Sequence, residues 1–464
     1  GAGSSEYKML SYFARVNYTL MDRYLFEVNM RADASSRFHK DHRWGYFPSF
    51  SAGWRMSEES FMKDIEWINN LKIRASYGTL GNINNVGNYD YFQNYSSGNH
   101  YSFSDSPVIG IGESKPANET LGWEKVALTD IGLDFDIFNG LLGVTADYYI
   151  KNTSDILLGY NVPTETGITA APSQNIGKVK NTGFELALNH RNKIGAVNYS
   201  IGANIATNKN KITNLGGSDN IIQTSSYIVK YILKKGESIG SFYGFKTDGL
   251  YTQADIDAGH YYTLSGVVPN AGDIKFVPQR DIEYKQEITD EDRTILGKDV
   301  PDFTYGVNLS LQYKGFEFSM FGQGISGTKV AFDVYGVHPF YHGQDSPRKY
   351  HLKRWTEENP NPHAAYPRIY SASSVHTTYN RNFSDYHLFD SDYFRFKTLS
   401  LGYTVPSATV KNWGLQSLKV YVTGENLFTV RADKKMEDFD PETAGGVIYT
   451  LGTKSVAFGV NISF

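Results

Sequence analysis

The sequence predicts an all-β protein whose strands form an antiparallel transmembrane β-barrel. Apolar and polar residues alternate with a period of two in about thirteen segments, as in strands with two different environments. Aromatic residues make up 15% of the chain, with 34 Tyr and 28 Phe. The mean hydropathy is only -0.41. A barrel combines these features because only every second residue of a strand faces lipid, and aromatic side chains gather at the membrane surfaces.

The composition excludes several other classes of protein. The formal net charge of -4 gives no sign of a nucleic-acid-binding surface. The absence of Cys excludes a disulfide framework and a Cys-ligated metal site. A disordered chain would lack this aromatic content. No apolar run approaches the roughly 18 residues of a transmembrane helix, so only strands are expected to cross a membrane.

Six segments alternate in the first part of the chain. In residues 24–31, for example, Phe26 and Val28 oppose Glu27 and Asn29. Most segments have the roughly 8 to 11 residues that a tilted membrane strand needs. The six predicted strands are residues 12–19, 24–31, 46–55, 71–77, 123–137 and 142–150.

Seven further segments alternate in the rest of the chain. The segment 393–403 changes phase once, and an extra residue near Lys397 and Thr398 predicts a β-bulge that restores the register. The seven predicted strands are residues 184–189, 197–205, 303–312, 316–323, 393–403, 418–423 and 456–464.

A soluble β-sandwich would also alternate, and the polar face distinguishes the two folds. That face carries charges in the middle of strands, such as Arg74 and Asp134. A dry sandwich core would reject them, whereas the aqueous lumen of a barrel accepts them. The opposite face is almost entirely apolar, and water would penalise such a continuous surface.

The connections alternate between short turns and long loops, which predicts the topology. Outer-membrane barrels place short turns in the periplasm and long loops outside, so we expect a periplasmic C-terminus. Met56–Asn70 is expected to be partly helical, with Ser57 as its N-cap. Because about thirteen strands cannot close a bacterial barrel, an N-terminal part of the same barrel is expected outside this chain. The predicted turns are 20–23, 138–140, 191–195 and 313–314, with longer connections on the same side at 56–70 and 404–416. The predicted long loops are 32–45, 80–122, 151–181, 207–302, 324–392 and 428–453.

An ordered series of motifs resembles the SusC/RagA family of TonB-dependent outer-membrane transporters over residues 12–464. The terminal Phe464 fits the family's barrel-assembly signal. The motifs are Arg31-Ala-Asp-Ala-Ser-Ser-Arg-Phe38, Phe47-Pro-Ser-Phe-Ser-Ala-Gly-Trp-Arg55, Leu71-Lys-Ile-Arg-Ala-Ser-Tyr-Gly78 with Gly81-Asn82, Asn181-Thr-Gly-Phe-Glu185, Ser241-Phe-Tyr-Gly-Phe245, Arg354-Trp-Thr with Tyr366-Pro-Arg368, Gly424-Glu-Asn-Leu-Phe428 and Asp438-Phe-Asp-Pro-Glu442.

The resemblance implies that residues 1–464 are the C-terminal portion of a barrel of about 22 strands in a bacterial outer membrane. The plug domain and first strands would lie upstream. The resemblance further implies a SusD-like surface lipoprotein as partner, TonB acting on the plug, and a dimer of transporter–lipoprotein pairs. The imported nutrient would be an oligosaccharide, or else a peptide, with no cofactor and no enzymatic step.

Two loops rich in aromatic residues supply candidate ligand contacts. Aromatic faces stack on sugar rings, and Asn, Asp and His offer directional hydrogen bonds. The alternative is that these residues pack the loops together or meet the lipoprotein. The candidates are Asn88, Tyr89, Asp90, Tyr91, Tyr335, His338, Tyr341 and His342.

Four basic residues on the polar faces could line a transport path. The alternative, which the sequence favours, is a salt-bridged barrel wall or a plug interface. The four are Arg15, Arg31, Lys72 and Arg74.

The sequence does not support a metal site or a catalytic centre. His338 and His342 have the i, i+4 spacing of helical zinc ligands, but Pro339 and Gly343 argue against a helix there. Residues 271–293 resemble a family segment that often holds a calcium-like Asp/Asn/Gly loop, yet they lack its Asp-x-Asn-x-Asp-Gly order.

One pair of carboxylates and two functions other than import remain as alternatives. Asp438 and Asp440 could be read as glycosidase carboxylates, but their family motif favours a structural role. The alternatives to import are a surface β-protein that binds glycans without transport and an outer-membrane enzyme such as a lipase or protease. No Ser/His/Asp arrangement with a recognisable context supports the enzyme.

Overall fold

The computed structural model describes residues 4–103, 106–159, 173–224, 228–332, 338–340, 346–442 and 452–464. The chain forms two compact units. The first unit contains Gly1–Leu188 and Lys209–Asp219, and the second contains Asn189–Asn208 and Asn220–Phe464. No helix among the described residues is long and apolar enough to cross a membrane.

The long strands of the first unit form one hydrogen-bonded series. Each of the first six strands in the series pairs antiparallel with the next of these six. In order they are β1 (Met9–Leu20), β2 (Tyr24–Ser35), β3 (Trp44–Arg55), β4 (Ile68–Asn82), β7 (Glu124–Ile137), β8 (Leu142–Gly159) and β9 (Ser173–Ile194). A separate hairpin, β5 (Asn94–Phe103) and β6 (Ser106–Lys115), lies in the connection between β4 and β7. The short β11 (Lys209–Leu215) pairs with β9.

The second unit begins with the last six residues of β9, and its strands also form a hydrogen-bonded series. Neighbours from β10 onward pair antiparallel. In order the strands are β10 (Val197–Thr207), β20 (Phe303–Tyr313), β21 (Phe316–Ser326), β24 (Tyr393–Thr404), β25 (Ser417–Arg431) and β26 (Ser455–Ser463). With β9 counted once, thirteen strands of the described residues follow one another in this hydrogen-bonded order, and the all-β antiparallel prediction is confirmed.

Short elements fill the long connections of the second unit. The strands are β12 (Asn220–Thr224), β13 (Lys230–Lys234), β14 (Ser241–Gly244), β15 (Lys246–Leu250), β16 (Thr263–Leu264), β17 (Ile274–Val277), β18 (Glu287–Ile288), β19 (Thr294–Lys298), β22 (Lys329–Ala331) and β23 (Leu388–Asp390). The α-helices are α1 (Gln253–Asp257), α2 (Val375–Asn380) and α3 (Ser407–Lys411). The 3-10 helices are Met56–Glu58 in the first unit and Asp290–Asp292, Lys349–Lys353, Asp385–His387 and Lys434–Asp438 in the second.

The register places the predicted apolar residues on one face of the strands. Val16 pairs with Val28, and Val28 pairs with Phe50. One residue away, Asn29 pairs with Arg15 on the polar face. The apolar face is exposed in each unit taken by itself, while the buried cores of the second unit lie among the short loop elements. This is the reverse of a soluble sandwich, in which the apolar strand faces form the core.

The predicted β-bulge in β24 is confirmed. Against β21, Phe396 and Thr398 pair with the consecutive residues Gly322 and Phe321, so Lys397 is the extra residue. The extra residue moves the apolar positions of β24 from even to odd numbers, and both halves of the strand then present them to the same face.

The partly helical connection predicted for Met56–Asn70 is confirmed only in its first turn, and the predicted N-cap is wrong. Only the 3-10 helix Met56–Glu58 forms, Ser57 lies inside it, and its N-cap is Arg55 without a side-chain hydrogen bond. Glu59 explains this difference. Its carboxylate accepts hydrogen bonds from the side chains of Tyr24 and Trp54 and pairs with Arg23 at 3.0 Å, which fixes the chain against the strand ends.

The predicted loop 151–181 is also corrected, because β8 continues to Gly159 and β9 already begins at Ser173. These ends lack clear alternation. Part of their backbone is satisfied by side chains, since the Leu157 N–H donates to the Glu124 carboxylate and the Asp155 carbonyl accepts from the Asn175 amide. The predicted loop 80–122 likewise contains the β5–β6 hairpin.

The turn between β20 and β21 provides a test of the hairpin geometry. Lys314 and Gly315 have φ values of 45° and 89°, as a two-residue primed turn requires. A Cβ atom on Gly315 would lie 2.6 Å from the carbonyl oxygen of Thr404. We expect Gly315→Ala to lower the free energy of unfolding by about 1–3 kcal/mol, measured by chemical unfolding.

A matched control is Gly195→Ala at another turn. Gly195 also has a positive φ, of 58°, but a Cβ atom there would have no neighbour within 4 Å. Gly195→Ala introduces only backbone strain, so it should lower the free energy of unfolding by less than Gly315→Ala does. Equal losses in the two variants would contradict the proposed clash with Thr404.

Candidate functional site

Asn88 lies in the connection between β4 and β5 and joins three parts of the chain. Its side-chain amide donates a hydrogen bond to the hydroxyl of Ser5 at 2.6 Å. Its carbonyl oxygen accepts one from the Arg37 guanidinium at 2.9 Å. Through these hydrogen bonds Asn88 holds loops together, as the packing alternative predicts.

Tyr89 differs from Asn88 because its ring remains accessible. Its hydroxyl accepts a hydrogen bond from the backbone N–H of Glu6 at 3.3 Å, but 46% of the residue is exposed. Phe92, also about half exposed, has its ring centroid 6.2 Å away. The backbone φ of Tyr89 is 68°, so the turn itself orients the side chain. Tyr89 and Phe92 therefore offer an accessible aromatic surface.

Asp90 and Tyr91 stabilise this loop. The Asp90 carboxylate accepts a hydrogen bond from the backbone N–H of Gly87 at 2.6 Å and pairs with Lys115 at 3.1 Å. Tyr91 stacks on Phe92 with 4.3 Å between ring centroids. It also packs against the buried cluster of Phe38, Phe47, Val86, Leu121 and Trp123. Of the four candidates in this loop, Tyr89 alone combines exposure with an available ring face.

Tyr335, Tyr341 and His342 lie outside the described residues. His338 is described and is buried in the second unit. Its Nδ1 lies 3.2 Å from the Tyr366 hydroxyl, and its ring centroid lies 5.3 Å from that of His387. Burial lowers the pKa of His338 well below its ordinary value, and the charges of His387 and its neighbours add to this effect. A buried, neutral imidazole is not a surface contact for a ligand, so the geometry does not favour His338 as such a contact.

The polar face of the first unit carries a charged wall, formed by Lys72 and Arg74 of β4, Asp130 and Asp134 of β7, and Asp147 of β8. The Arg74 guanidinium pairs with Asp134 at 3.1 Å and with Asp147 at 2.7 Å. Lys72 lies 3.6 Å from Asp134. The salt-bridged alternative for Lys72 and Arg74 therefore agrees with the structure.

Gly132 makes the central part of the charged wall possible. It pairs with Arg74 in the β4–β7 register. A Cβ atom at Gly132 would lie 2.6 Å from the guanidinium carbon of Arg74 and 2.3 Å from a carboxylate oxygen of Asp147. The guanidinium crosses β7 through this space to reach Asp147.

The other two basic candidates also have partners. Arg31 pairs with Asp33 at 2.6 Å. The Arg15 Nε atom donates to the Asn29 side chain at 2.6 Å, and Glu27 lies 3.9 Å away.

An open groove of about 330 Å³ runs along the polar face beside the charged wall. Small residues, Ser51, Ala52 and Gly53, form part of its lining, together with the charged Glu27 and Lys72. Such a groove suits a polar, hydrated partner.

The acidic residues considered for catalysis or metal binding have structural partners. Asp440 pairs with Arg395 at 2.7 Å, and Asp438 accepts a hydrogen bond from the backbone N–H of Tyr350 at 3.3 Å. Among the residues that the structure describes, no three His, Asp or Glu side chains are grouped to hold a metal ion.

Asp292, in the segment that resembles the calcium-binding region, is also fully engaged. It accepts hydrogen bonds from the backbone N–H groups of Gln279 and Thr289 and pairs with Arg280 at 2.7 Å. Burial opposes its ionisation, but these hydrogen bonds lower the pKa of Asp292 to about 2.

Sequence reasoning did not single out an aromatic stack near α1. The ring centroids of His260 and Tyr284 are 4.8 Å apart, and Tyr262 lies 5.2 Å from Tyr284. The only available signal was local, because Tyr261-Tyr262 and Tyr284 each stand among acidic residues. The contact itself joins residues more than twenty positions apart and has no periodic signature.

Comparisons with known proteins agree with this architecture. Residues 2–427 match the family model described as TonB dependent receptor-like, beta-barrel. A TonB-dependent receptor of Formosa agariphila is 32% identical over 92% of this chain and 41% of its own length. The TonB-dependent receptor SusC of Bacteroides thetaiotaomicron is 29% identical over 98% of this chain and 43% of its own length.

A solved structure shows the same fold. The structure of the RagAB peptide transporter superimposes with a TM-score of 0.77 and 25% identity, over 99% of this chain and 47% of the other. The chain spans less than half the length of these relatives.

Proposed function

The chain belongs to the TonB-dependent receptor-like β-barrel family, and on this premise we propose that it is the C-terminal portion of an outer-membrane transporter that imports an oligosaccharide or a peptide. The observation that carries the proposal is the pairing of two faces along thirteen antiparallel strands. In each unit one strand face is apolar and exposed. In the first unit the opposite face carries the charged wall. A strand with lipid on one side and water on the other needs this division.

The partners follow from the same premise. A SusD-like surface lipoprotein would receive the ligand, in keeping with the likeness to SusC and to the RagAB peptide transporter. TonB would act through a plug domain supplied from outside residues 1–464, together with the remaining strands. The long connections would face outward, with the C-terminus in the periplasm, and two transporter–lipoprotein pairs could associate as a dimer.

The dependence of uptake on the proton gradient distinguishes import from glycan binding without transport. The gene would be deleted in the source bacterium and restored on a plasmid, and uptake of labelled oligosaccharides and peptides would be measured with and without a protonophore. Import predicts uptake that requires both the gene and the proton gradient. Binding to the cell surface that persists with the protonophore, with no label inside the cells, would support the glycan-binding alternative.

Tyr89→Ala tests the accessible aromatic surface. We expect the apparent affinity for the transported ligand to fall about two- to tenfold, because an exposed aromatic contact contributes about 0.5–1.5 kcal/mol. The measurement is the concentration dependence of uptake in the restored strain.

Tyr89→Phe is the matched control, since it keeps the ring and removes only the hydroxyl that accepts the Glu6 N–H. It should retain the affinity. If both variants lose affinity equally, the hydroxyl or the loop conformation is responsible, and the proposed stacking contact is wrong.

A further inference from the structure

Three packed rings in the second unit, together with three exposed carboxylates that neighbour them in sequence, are named here the acidic aromatic platform: His260, Tyr262 and Tyr284 with Asp257, Asp281 and Glu283. His260 stacks on Tyr284 with 28° between the ring planes, and Tyr262 packs against the same tyrosine at 39°. Tyr284 is 51% exposed, and His260 is also exposed. The platform therefore presents ring surface to solvent.

The backbone beneath the platform is held firmly. α1 begins with a capping box between Thr252 and Asp255. The backbone carbonyl of Asp255 then accepts a hydrogen bond from the N–H of His260 at 2.8 Å. The N–H of Tyr262 donates to the hydroxyl of Tyr251, whose side chain is completely buried.

A second contact joins the two segments that carry the rings. The N–H of Lys285 donates to the carbonyl oxygen of Tyr261 at 2.6 Å. Gly259 permits this approach, because its φ is +70° and a Cβ atom there would lie 2.6 Å from the Lys285 side chain. The rings are thus positioned before any ligand arrives, which lowers the entropy cost of binding.

The charges around the rings are predominantly negative. Asp257, Asp281 and Glu283 are exposed, and none of them has an ion-pair partner among the described residues. The basic residues of this segment are Lys285, next to Tyr284, and Arg280, which pairs with Asp292. Burial, Tyr284 and the charge of Asp281 together raise the pKa of Tyr262, which agrees with a carboxylate close to the rings.

Two other acidic residues nearby do have ion-pair partners. Asp255 pairs with Lys275, and Asp290 pairs with Arg293 at 2.6 Å. The three platform carboxylates have no such ion pair in the part of the chain that the structure describes, and Glu287, which also has none, accepts a hydrogen bond from the Gly266 N–H. An electron-rich ring face next to uncompensated carboxylates is complementary to a cation, whereas a neutral sugar would gain nothing from those charges.

We propose that the acidic aromatic platform binds the positively charged side chains of a basic peptide, with a lysine or arginine over the Tyr284 ring and the three carboxylates around it. This binding does not depend on transport, so the proposal stands apart from the import function. The cation would lie on the exposed ring face, and a neighbouring basic residue of the peptide would reach Asp281 or Glu283.

The test is peptide binding by the full-length protein purified in detergent. The probe is a fluorescent pentapeptide Gly-Lys-Gly-Lys-Gly, and its partner is the same peptide with both lysines acetylated. We expect the unmodified peptide to bind, with an affinity that falls as salt is raised, and the acetylated peptide to bind at least about fivefold more weakly.

Variants then distinguish the contribution of the rings to peptide binding from that of the carboxylates. Tyr284→Ala and the double variant Asp281→Asn with Glu283→Gln should each weaken binding about two- to fivefold, in line with an exposed cation–π contact. Glu119→Gln is the control, since it removes an exposed carboxylate outside the platform, and it should leave binding unchanged.

Three results would overturn the proposal. They are equal binding of the acetylated peptide, unchanged binding by the double variant, and binding of a neutral oligosaccharide that abolishes peptide binding and needs Tyr284 but not the carboxylates. The last result would identify the platform as a sugar site. Circular dichroism of each variant confirms that the fold is retained.

Discussion

Replacing Arg74 with methionine is expected to lower the free energy of unfolding by about 2–4 kcal/mol. The side chain of Arg74 is only 29% exposed and pairs with Asp134 and Asp147. A third carboxylate, that of Asp130, lies 3.7 Å away. Without the guanidinium, three carboxylates remain close together with only Lys72 nearby, and removing one partner of a partly buried ion pair leaves an uncompensated charge. Chemical unfolding in detergent, or the temperature at which the folded form disappears in a heat-modifiability gel, would measure the loss.

Arg15→Met is the matched control for this prediction. Its side chain is 64% exposed, and Glu27 lies 3.9 Å away. An exposed pair of this kind contributes about 0–1 kcal/mol. Adding Asp147→Asn to the Arg74 variant should recover part of the lost stability, because one of the repelling charges is removed. If Arg15→Met costs as much as Arg74→Met, the charged wall is not a special stabilising network.

Acidification is expected to destabilise the loop elements around His387. Burial lowers the pKa of His387 to about 4, with Lys435 acting in the same direction and a hydrogen bond to Asn380 opposing it. The ring of His338 lies beside that of His387, and the Ser384 hydroxyl lies 3.1 Å from the Nδ1 atom of His387. The folded pKa is below the unfolded value of about 6.5, so the unfolded state takes up the proton first. The stability is therefore complete above about pH 6.5 and falls as the pH drops towards 4.

The difference between these two pKa values corresponds to about 3 kcal/mol for His387. Hydrogen exchange of α2 and the following residues at pH 7.5 and pH 4.5, corrected for intrinsic exchange rates, would measure it. His387→Gln should flatten the pH dependence, whereas His363→Gln, at an exposed histidine, should leave it unchanged. An unaltered pH dependence in the His387 variant would show that other groups dominate the acid response.

The long strands were predictable from sequence because alternation is a local property that backbone pairing preserves. Val28 and Asn29 lie on the expected faces, and the change of phase at Lys397 marked a real bulge. The carboxylate contacts of Glu59 could not be predicted, since they depend on strand ends brought together by the fold.

The candidate site was less predictable for the same reason. His338 and Tyr89 both stand in polar, aromatic loops of similar composition. His338 is buried through contact with Tyr366, 28 residues away in sequence, whereas Tyr89 remains accessible at a turn. Burial in loops is decided by such long-range contacts, which leave no periodic signal in the sequence.

Spin labelling of single cysteines tests most directly the claim that these strands cross a membrane with one face in lipid. The sequence contains no Cys, so each introduced label within it is unique. Labels would be placed in neighbouring pairs, at Val28 and Asn29 in β2 and at Phe50 and Ser51 in β3, in the protein reconstituted in lipid bilayers. Collision with oxygen, which concentrates in lipid, and with a water-soluble nickel complex would then be measured. We expect the labels at Val28 and Phe50 to collide more with oxygen and those at Asn29 and Ser51 to collide more with the nickel complex. Equal accessibility at all four positions, or preference for nickel throughout, would contradict it.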